Sequence, residues 1–393
     1  LFFNKKCVDL LKIIIKFVAA LKIKNKMKQK LFENFKQGNE TLWLQEAIKT
    51  AKVESIEALQ TTLEEGIILK PFYTKDIENN IPAKKNNQWI LLEYLSNIDE
   101  NILLAQIQEA QQKGSDGVLL SQNIDNSLIL KVLSKTSLKF LEVKRNIQQL
   151  DNAFLTQINN AFPWVKIIPC VENSHDFLEA LNILIDFKNI HIRIQEGCFW
   201  HNQNANVIQE IAFMLSAWVE YLDKFTDKYE IENVFKRISL ANNIGKNYFL
   251  EIAKIRTLLL LTSKIAATYQ SKLLVNLLSI TSEKTLTSQE EYNNLLRLTT
   301  ESMSAVLGGT DCLCILPYNF QTEIDNFALQ ISRNISHLLR YESHLDKVTD
   351  VAKGSYYIEQ LTQEITEKSW NLFLVLEKNG GYSKNYGQNN LLH

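Results

Sequence analysis

Glycine and proline are scarce in this sequence: 12 Gly and 5 Pro stand among 393 residues, roughly half of average usage or less. Loops that bring backbone amides against a phosphate have few places to sit, and neither G-x-G-x-x-G nor G-x-x-x-x-G-K-[ST] occurs. The usual dinucleotide-binding and P-loop patterns are thereby excluded. An excess of charge is also missing: 43 Lys+Arg face 44 Asp+Glu, a net charge of -1, so no global field recruits nucleic acid. Cysteine is sparse, at 7, 170, 198, 312 and 314. An odd number of thiols in mostly apolar surroundings reads as reduced core cysteines and a cytoplasmic setting. H-E-x-x-H is absent, and Cys312 and Cys314 form a same-face pair in a strand without two further ligands. That pair is expected to pack in the core rather than hold a metal.

What is present is apolar residue in two rhythms, with 46% of the chain hydrophobic. Residues 1–27 stand apart. Lys5, Lys6, Lys12, Lys16, Lys22, Lys24 and Lys26 interrupt the Ile, Phe and Leu there, leaving runs too short to span a bilayer and no small-residue cleavage site. With Met27 following, they are expected to be an upstream extension, the alternative being an amphipathic surface helix. Residues 28–82 form a helical arm and linker: Leu44, Ala47, Ile48 and Ala51 keep an i, i+3, i+4, i+7 spacing, 56–65 continues as a short amphipathic piece, and Pro71 and Pro82 end it.

Beyond it, eight short apolar runs, at 89–95, 117–120, 138–143, 165–170, 190–194, 237–241, 273–280 and 312–317, alternate with longer amphipathic ones. The latter predict helices over 102–113, 123–134, 147–161, 174–187, 203–226, 246–269, 286–307 and 322–341. Strand alternating with helix argues a parallel sheet with right-handed crossovers. Eight units in this length fit a (β/α)8 TIM barrel over 83–345, with a C-terminal helix and tail over 346–393. A doubly wound open sheet is the alternative. In a barrel, function belongs at the carboxyl ends of the strands. There the rim offers Ser96, Asn97, 121–123, Lys144, Arg145, 171–173, 195–201, 242–245, 281–289 and 318–321. It is rich in amides and poor in acids, which suits a neutral hydrogen-bonding ligand or a mouth closed by another chain. Lys254 and Arg256, near a helix middle, are expected to be solvated or at a subunit contact.

Three stretches are more specific. Asn-Tyr-Phe-Leu-Glu-Ile-Ala-Lys-Ile-Arg at 247–256 resembles the strand-to-helix segment of the methylmalonyl-CoA mutase barrel. The 285–297 segment, with Tyr292-Asn293-Asn294, continues to Gly308-Gly309 and is similar to the same family, as are Ser332-Arg333-Asn334 and Gly354-Ser-Tyr-Tyr357. With Lys70-Pro-Phe-Tyr-Thr74 the resemblance covers 28–382. It implies an adenosylcobalamin-dependent isomerisation of succinyl-CoA and methylmalonyl-CoA in propionate metabolism, in which a bacterial heterodimer pairs a catalytic large subunit with a related small one.

The chain departs from the catalytic pattern. The cobalamin signature Asp-x-His-x-x-Gly does not occur in it, so no cofactor is expected to be bound by this chain alone and the cobalamin domain is expected to be absent. Trp89-Ile-Leu-Leu-Glu93 stands where catalytic chains carry an Arg-Gln-Tyr-Ala-Gly-Phe loop, and Cys198-Phe199 where they carry Tyr-His. The resemblance therefore implies a small-subunit-type, structural role beside the catalytic chain; the alternatives are a barrel that binds acyl-CoA and uses cobalamin held by a separate chain, or a truncated chain. Asn242, Asn243, Gln289, Tyr292 and Asn293 are the substrate-pocket candidates. His201, on the loop after the fifth strand, is the weakest catalytic candidate and is expected to be a satisfied polar contact.

Overall fold

The computed structural model describes residues 39–73, 77 and 79–386. The expected upstream extension, the start of the arm, Cys7, Thr74 and the tail after Tyr386 lie outside them. The chain divides into two units at Thr61 and Thr62. In the first, helix α1 (Glu40–Ala51) starts under the Asn39 side chain, which accepts from the Leu42 amide, and ends at Lys52 in the left-handed conformation. The 56–65 piece is not a helix beyond one 3-10 turn at Ile56–Leu59; four residues between Ser55 and Gln60 leave no room for a second turn.

In the second unit eight parallel strands close on themselves: β1 (Ile90–Leu95), β2 (Gly117–Leu120), β3 (Phe140–Arg145), β4 (Lys166–Pro169), β5 (His191–Ile194), β6 (Ile238–Ile244), β7 (Leu277–Thr281) and β8 (Cys312–Ile315). β8 pairs with β1, Cys312 opposite Ile90, so the barrel has no edge. The surrounding helices are α2 (Glu100–Gln112), α3 (Asn126–Lys135), α4 (Asn152–Ala161), α5 (Ser174–Leu184), α6 (Glu196–Asn202), α7 (Val207–Thr226), α8 (Ile231–Arg237), α9 (Tyr248–Thr268), α10 (Asn294–Gly308) and α11 (Asn326–His337). Several begin later than hydrophobic rhythm alone suggests, because an Asp or Asn side chain takes the first free amides. Asp125 accepts from Leu128 N, Asp151 from Phe154 N, and Asp325 from Ala328 N. The expected helix over 203–226 likewise begins later: Asn206 and Gln209 form a capping box that starts α7 and separates it from α6, which precedes residue 203.

Near the amino ends of the strands the barrel interior is filled by charge. Arg193 donates from Nε to Glu142 Oε2 at 2.8 Å and from Nη2 to Asn276 Oδ1 at 3.0 Å. Lys166 lies 3.7 Å from Glu142, and the Cys312 thiol is 3.8 Å from Arg193. Both Cys312 and Cys314 are buried.

Within the C-terminal extension over 346–393 lie two helices: α12 runs Tyr356–Lys378, followed by α13 (Gly381–Tyr386). It packs on α7 and α9. Arg256 of α9, expected at the surface, is fully buried, because Asp350 and Glu359 supply its counter-charge, Glu359 Oε1 at 2.7 Å. Glu359 also accepts from Asn79 Nδ2 at 2.7 Å, so the linker, α9 and α12 share one ionic knot. Lys254 is buried as well. No helix of the described residues is long and apolar enough to cross a membrane.

Candidate functional site at the barrel mouth

At the carboxyl ends of the strands lies a cavity of about 780 Å³. Strand ends supply its floor: Tyr94 from β1, Lys144 from β3, Asn243 from β6, Ile280 and Thr281 from β7, and Gln195 just after β5. Ser121, Gln122, Asn123 and Cys170 come from the following loops, and Cys198, Phe199 and Asn202 from α6. The short helix α6 fits against the barrel because Gly197 has no side chain: a Cβ there would lie 3.0 Å from Met214 Sδ. Its outer side is covered by aromatics. Trp200 Nε1 donates to Tyr382 Oη at 2.9 Å, and Tyr386 stacks on Phe199 with ring centroids 5.8 Å apart.

A second cavity of about 540 Å³ adjoins α6 and is lined by His201, Glu210, Glu251, Ser282 and Arg297. His201 is held at both ring nitrogens, Nδ1 2.7 Å from Glu210 Oε1 and Nε2 2.8 Å from Ser282 Oγ. Lys254, on α9, is 2.9 Å from Glu210 and 2.7 Å from Glu251, and donates to the Asn243 carbonyl at 2.7 Å. Burial opposes its charge, yet the two carboxylates hold the ammonium above the ordinary lysine range. Burial also opposes ionisation of Glu210, but Lys254 and His201 keep it below the usual carboxylate value. Burial pushes Glu301 up to about 8, with Oε2 accepting from the Ser282 amide at 3.1 Å.

Hydroxyl, imidazole and carboxylate are thus in line, as in a hydrolase, but Ser282 is 0% exposed and presents no hydroxyl to a reactant. The chain of bonds instead ties α6, α7 and the loop after β7 together. His201 is a satisfied polar contact in this arrangement. Both its nitrogens are engaged within the chain.

Of the other candidates, Asn243 lines the mouth and donates to Asn202 Oδ1 at 3.2 Å. Asn242 turns away into the wall, where its Oδ1 accepts from Ser279 Oγ at 3.1 Å. Gln289 and Asn293 line a separate surface depression with Arg297 and Gln321. Tyr292 is 69% exposed and stacks on Tyr318. The five candidates are therefore not brought together. Glu196, Glu210, Glu251 and Glu301, buried around α6, are not legible as site residues in the sequence. Only the i, i+3 spacing of Glu251 and Lys254 gives a signal for one pair.

Cys198 and Phe199 both face the mouth. Burial pushes the Cys198 thiol up to about 12, so it stays protonated at neutral pH. At these two positions the mouth presents a neutral thiol and a phenyl ring.

Comparison with known proteins adds to this geometry. A family model described as methylmalonyl-CoA mutase matches residues 165–389. The chain is 40% identical over 187 residues to the methylmalonyl-CoA mutase small subunit of Porphyromonas gingivalis, covering 46% of this chain and 30% of that protein. It is 35% identical over 194 residues to the methylmalonyl-CoA mutase of Rhizobium meliloti (48% and 27% covered), and 33% over 193 residues to the large subunit from Porphyromonas gingivalis (47% and 27%). The matched stretch spans less than a third of each relative's length.

Proposed function

Because the chain belongs to the methylmalonyl-CoA mutase family, we propose that it is a small-subunit-type component of such an enzyme, a barrel that supports a catalytic large subunit. The observation that carries this reading is Cys198 and Phe199 at the mouth, in the place where the resemblance puts a Tyr-His pair. The higher identity to a small subunit than to the large subunit of the same organism points the same way. In the assembled enzyme, adenosylcobalamin held by the partner supplies the radical chemistry that interconverts succinyl-CoA and methylmalonyl-CoA. No step of it is assigned to residues of this chain. What the chain contributes is a rigid mouth, with α6 locked by the His201 network, and a cytoplasmic barrel spanning 83–345 against which a second chain packs. The test is co-purification: tagged protein expressed with a cobalamin-binding large subunit is expected to elute as a heterodimer. Elution as a monomer in the presence of that chain overturns the proposal.

A second reading, an acyl-CoA-binding barrel using cobalamin from another chain, is favoured by the size of the mouth, within the range of small-molecule sites. Calorimetry with CoA esters separates the two, since a purely structural subunit releases no heat of binding.

A further inference from the structure

Lys144 is the penultimate residue of β3, opposite Ile168 of β4. Strand alternation sends it to the same face as Glu142, into the barrel axis. Glu142, one layer lower, is matched by Arg193 and Lys166. Lys144 has no such match: it lines the mouth cavity, and among the described residues its ammonium meets neither a carboxylate nor a hydrogen-bond acceptor. Its surroundings are the phenol of Tyr94 and the thiols of Cys170, Cys198 and Cys314. The thiols are held protonated by burial. Arg145, the next residue, faces the opposite way, its guanidinium 5.7 Å over the Phe154 ring, and offers no second cation.

An unpaired ammonium on a partly desolvated barrel floor attracts an anion, and the rest of the mouth restricts which one. Glu172 and Glu283 line the same cavity, so a dianion is disfavoured. In the helix following β4, Asn173 takes one of the first amides, accepting from Asp176 N at 2.9 Å. That leaves the helix N-terminus fewer free amides with which to hold a phosphate. The lining also carries apolar side chains, Val171, Phe199, Ile280, Leu316 and Phe320, among amides such as Gln195 and Asn243. One positive charge with apolar side chains in the same cavity suits a single planar negative head on an apolar body.

We propose that the barrel mouth is a binding site for a small organic monocarboxylate, its carboxylate on Lys144 Nζ and its apolar body against Phe199 and Phe320. This site lies beyond the supporting role argued above and does not depend on association with a larger chain.

Hexanoate is the probe, titrated calorimetrically into the full-length protein at fixed ionic strength, with hexanamide as the neutral counterpart and inorganic phosphate as the alternative anion. Hexanoate is expected to bind more tightly than either. Lys144→Met is expected to weaken it roughly tenfold or more, the range for a hydrogen bond to a charged group, and Lys144→Arg to restore it. Because Cys170 lines the same cavity and is half-buried, hexanoate should also slow its alkylation by iodoacetamide, read by peptide mass, in the wild-type protein and not in Lys144→Met. Circular dichroism establishes that both variants fold. Equal affinity for hexanoate and hexanamide, tighter binding of phosphate, unchanged affinity in Lys144→Met, or no binding and no protection at millimolar hexanoate overturns the assignment.

Discussion

Glu196 and Glu301 each bury a carboxyl group with one oxygen, Oε2 and Oε1 respectively, left without a partner. Removing a carboxylate from water without full compensation favours the protonated acid, and burial raises both groups to about 8 from an ordinary 4.5. Their folded pKa lies above the unfolded one, so folding takes up protons. The stability they contribute is complete below about pH 4.5 and is lost as pH rises towards 8. Each is worth roughly 2–4 kcal/mol across that window. Glu196→Gln and Glu301→Gln are therefore expected to flatten the dependence of the urea midpoint on pH between 5 and 9, with the variants gaining on the wild type at the alkaline end. Parallel pH profiles for wild type and variants would mean that both carboxyls are hydrated. The glutamates could be read in the sequence as residues but not as acids of altered strength. Burial depends on α7, α9 and α10 closing over them, which no local pattern encodes.

The barrel strands come together at close quarters where a side chain is missing. A Cβ on Gly117 would lie 2.2 Å from the Phe140 carbonyl oxygen, at the first rung between β2 and β3. Since the obstacle is backbone and not a flexible side chain, Gly117→Ala has to break that rung. It is expected to cost roughly 3 kcal/mol, at the upper end for overpacking. Gly354 is the contrast: a Cβ there meets nothing, and only its φ of +81° resists substitution. Gly354→Ala is expected to lose about 1 kcal/mol. Chemical denaturation of the two variants checks the difference, and equal losses would show that conformation and not contact governs Gly117. At this scale much was legible. Strand positions followed from apolar runs, the end of α10 at Gly308 with Gly309 in the left-handed conformation followed from the Gly-Gly pair, and the Asp and Asn caps were there to be read. What the rhythm missed were α6 and α8, each only 7 residues long, too short to establish a helical period.

Closure gives the molecule its cooperativity. With β8 paired to β1, every barrel strand has two neighbours, and the Arg256, Asp350, Glu359 and Asn79 knot fastens α12 and the linker to α9. Strand amides then have no edge from which to fray. Hydrogen exchange is expected to show all eight strands exchanging together through global opening, with the unit before Thr62 exchanging separately. A gradient of protection falling from β4 towards β1 and β8 would contradict a closed barrel.

By itself the sequence determined the beat of eight strands and helices, the exclusion of phosphate-cradling glycine loops, and the family through its Glu-Ile-Ala-Lys-Ile-Arg, Tyr-Asn-Asn and Arg-Asn segments, because these depend on residue type and spacing along the chain. Tertiary structure alone decided which charges are paired. Arg256 and Lys254, expected to be solvated or at a subunit contact, are buried among carboxylates; His201 is spent on Glu210 and Ser282; Lys144 is left without a partner in the mouth. The reason is one of distance: apart from Lys254 and Glu251 at i, i+3, these contacts join residues 9 to 103 positions apart, and electrostatic energy depends on separation and desolvation in space, neither of which is set until the barrel closes.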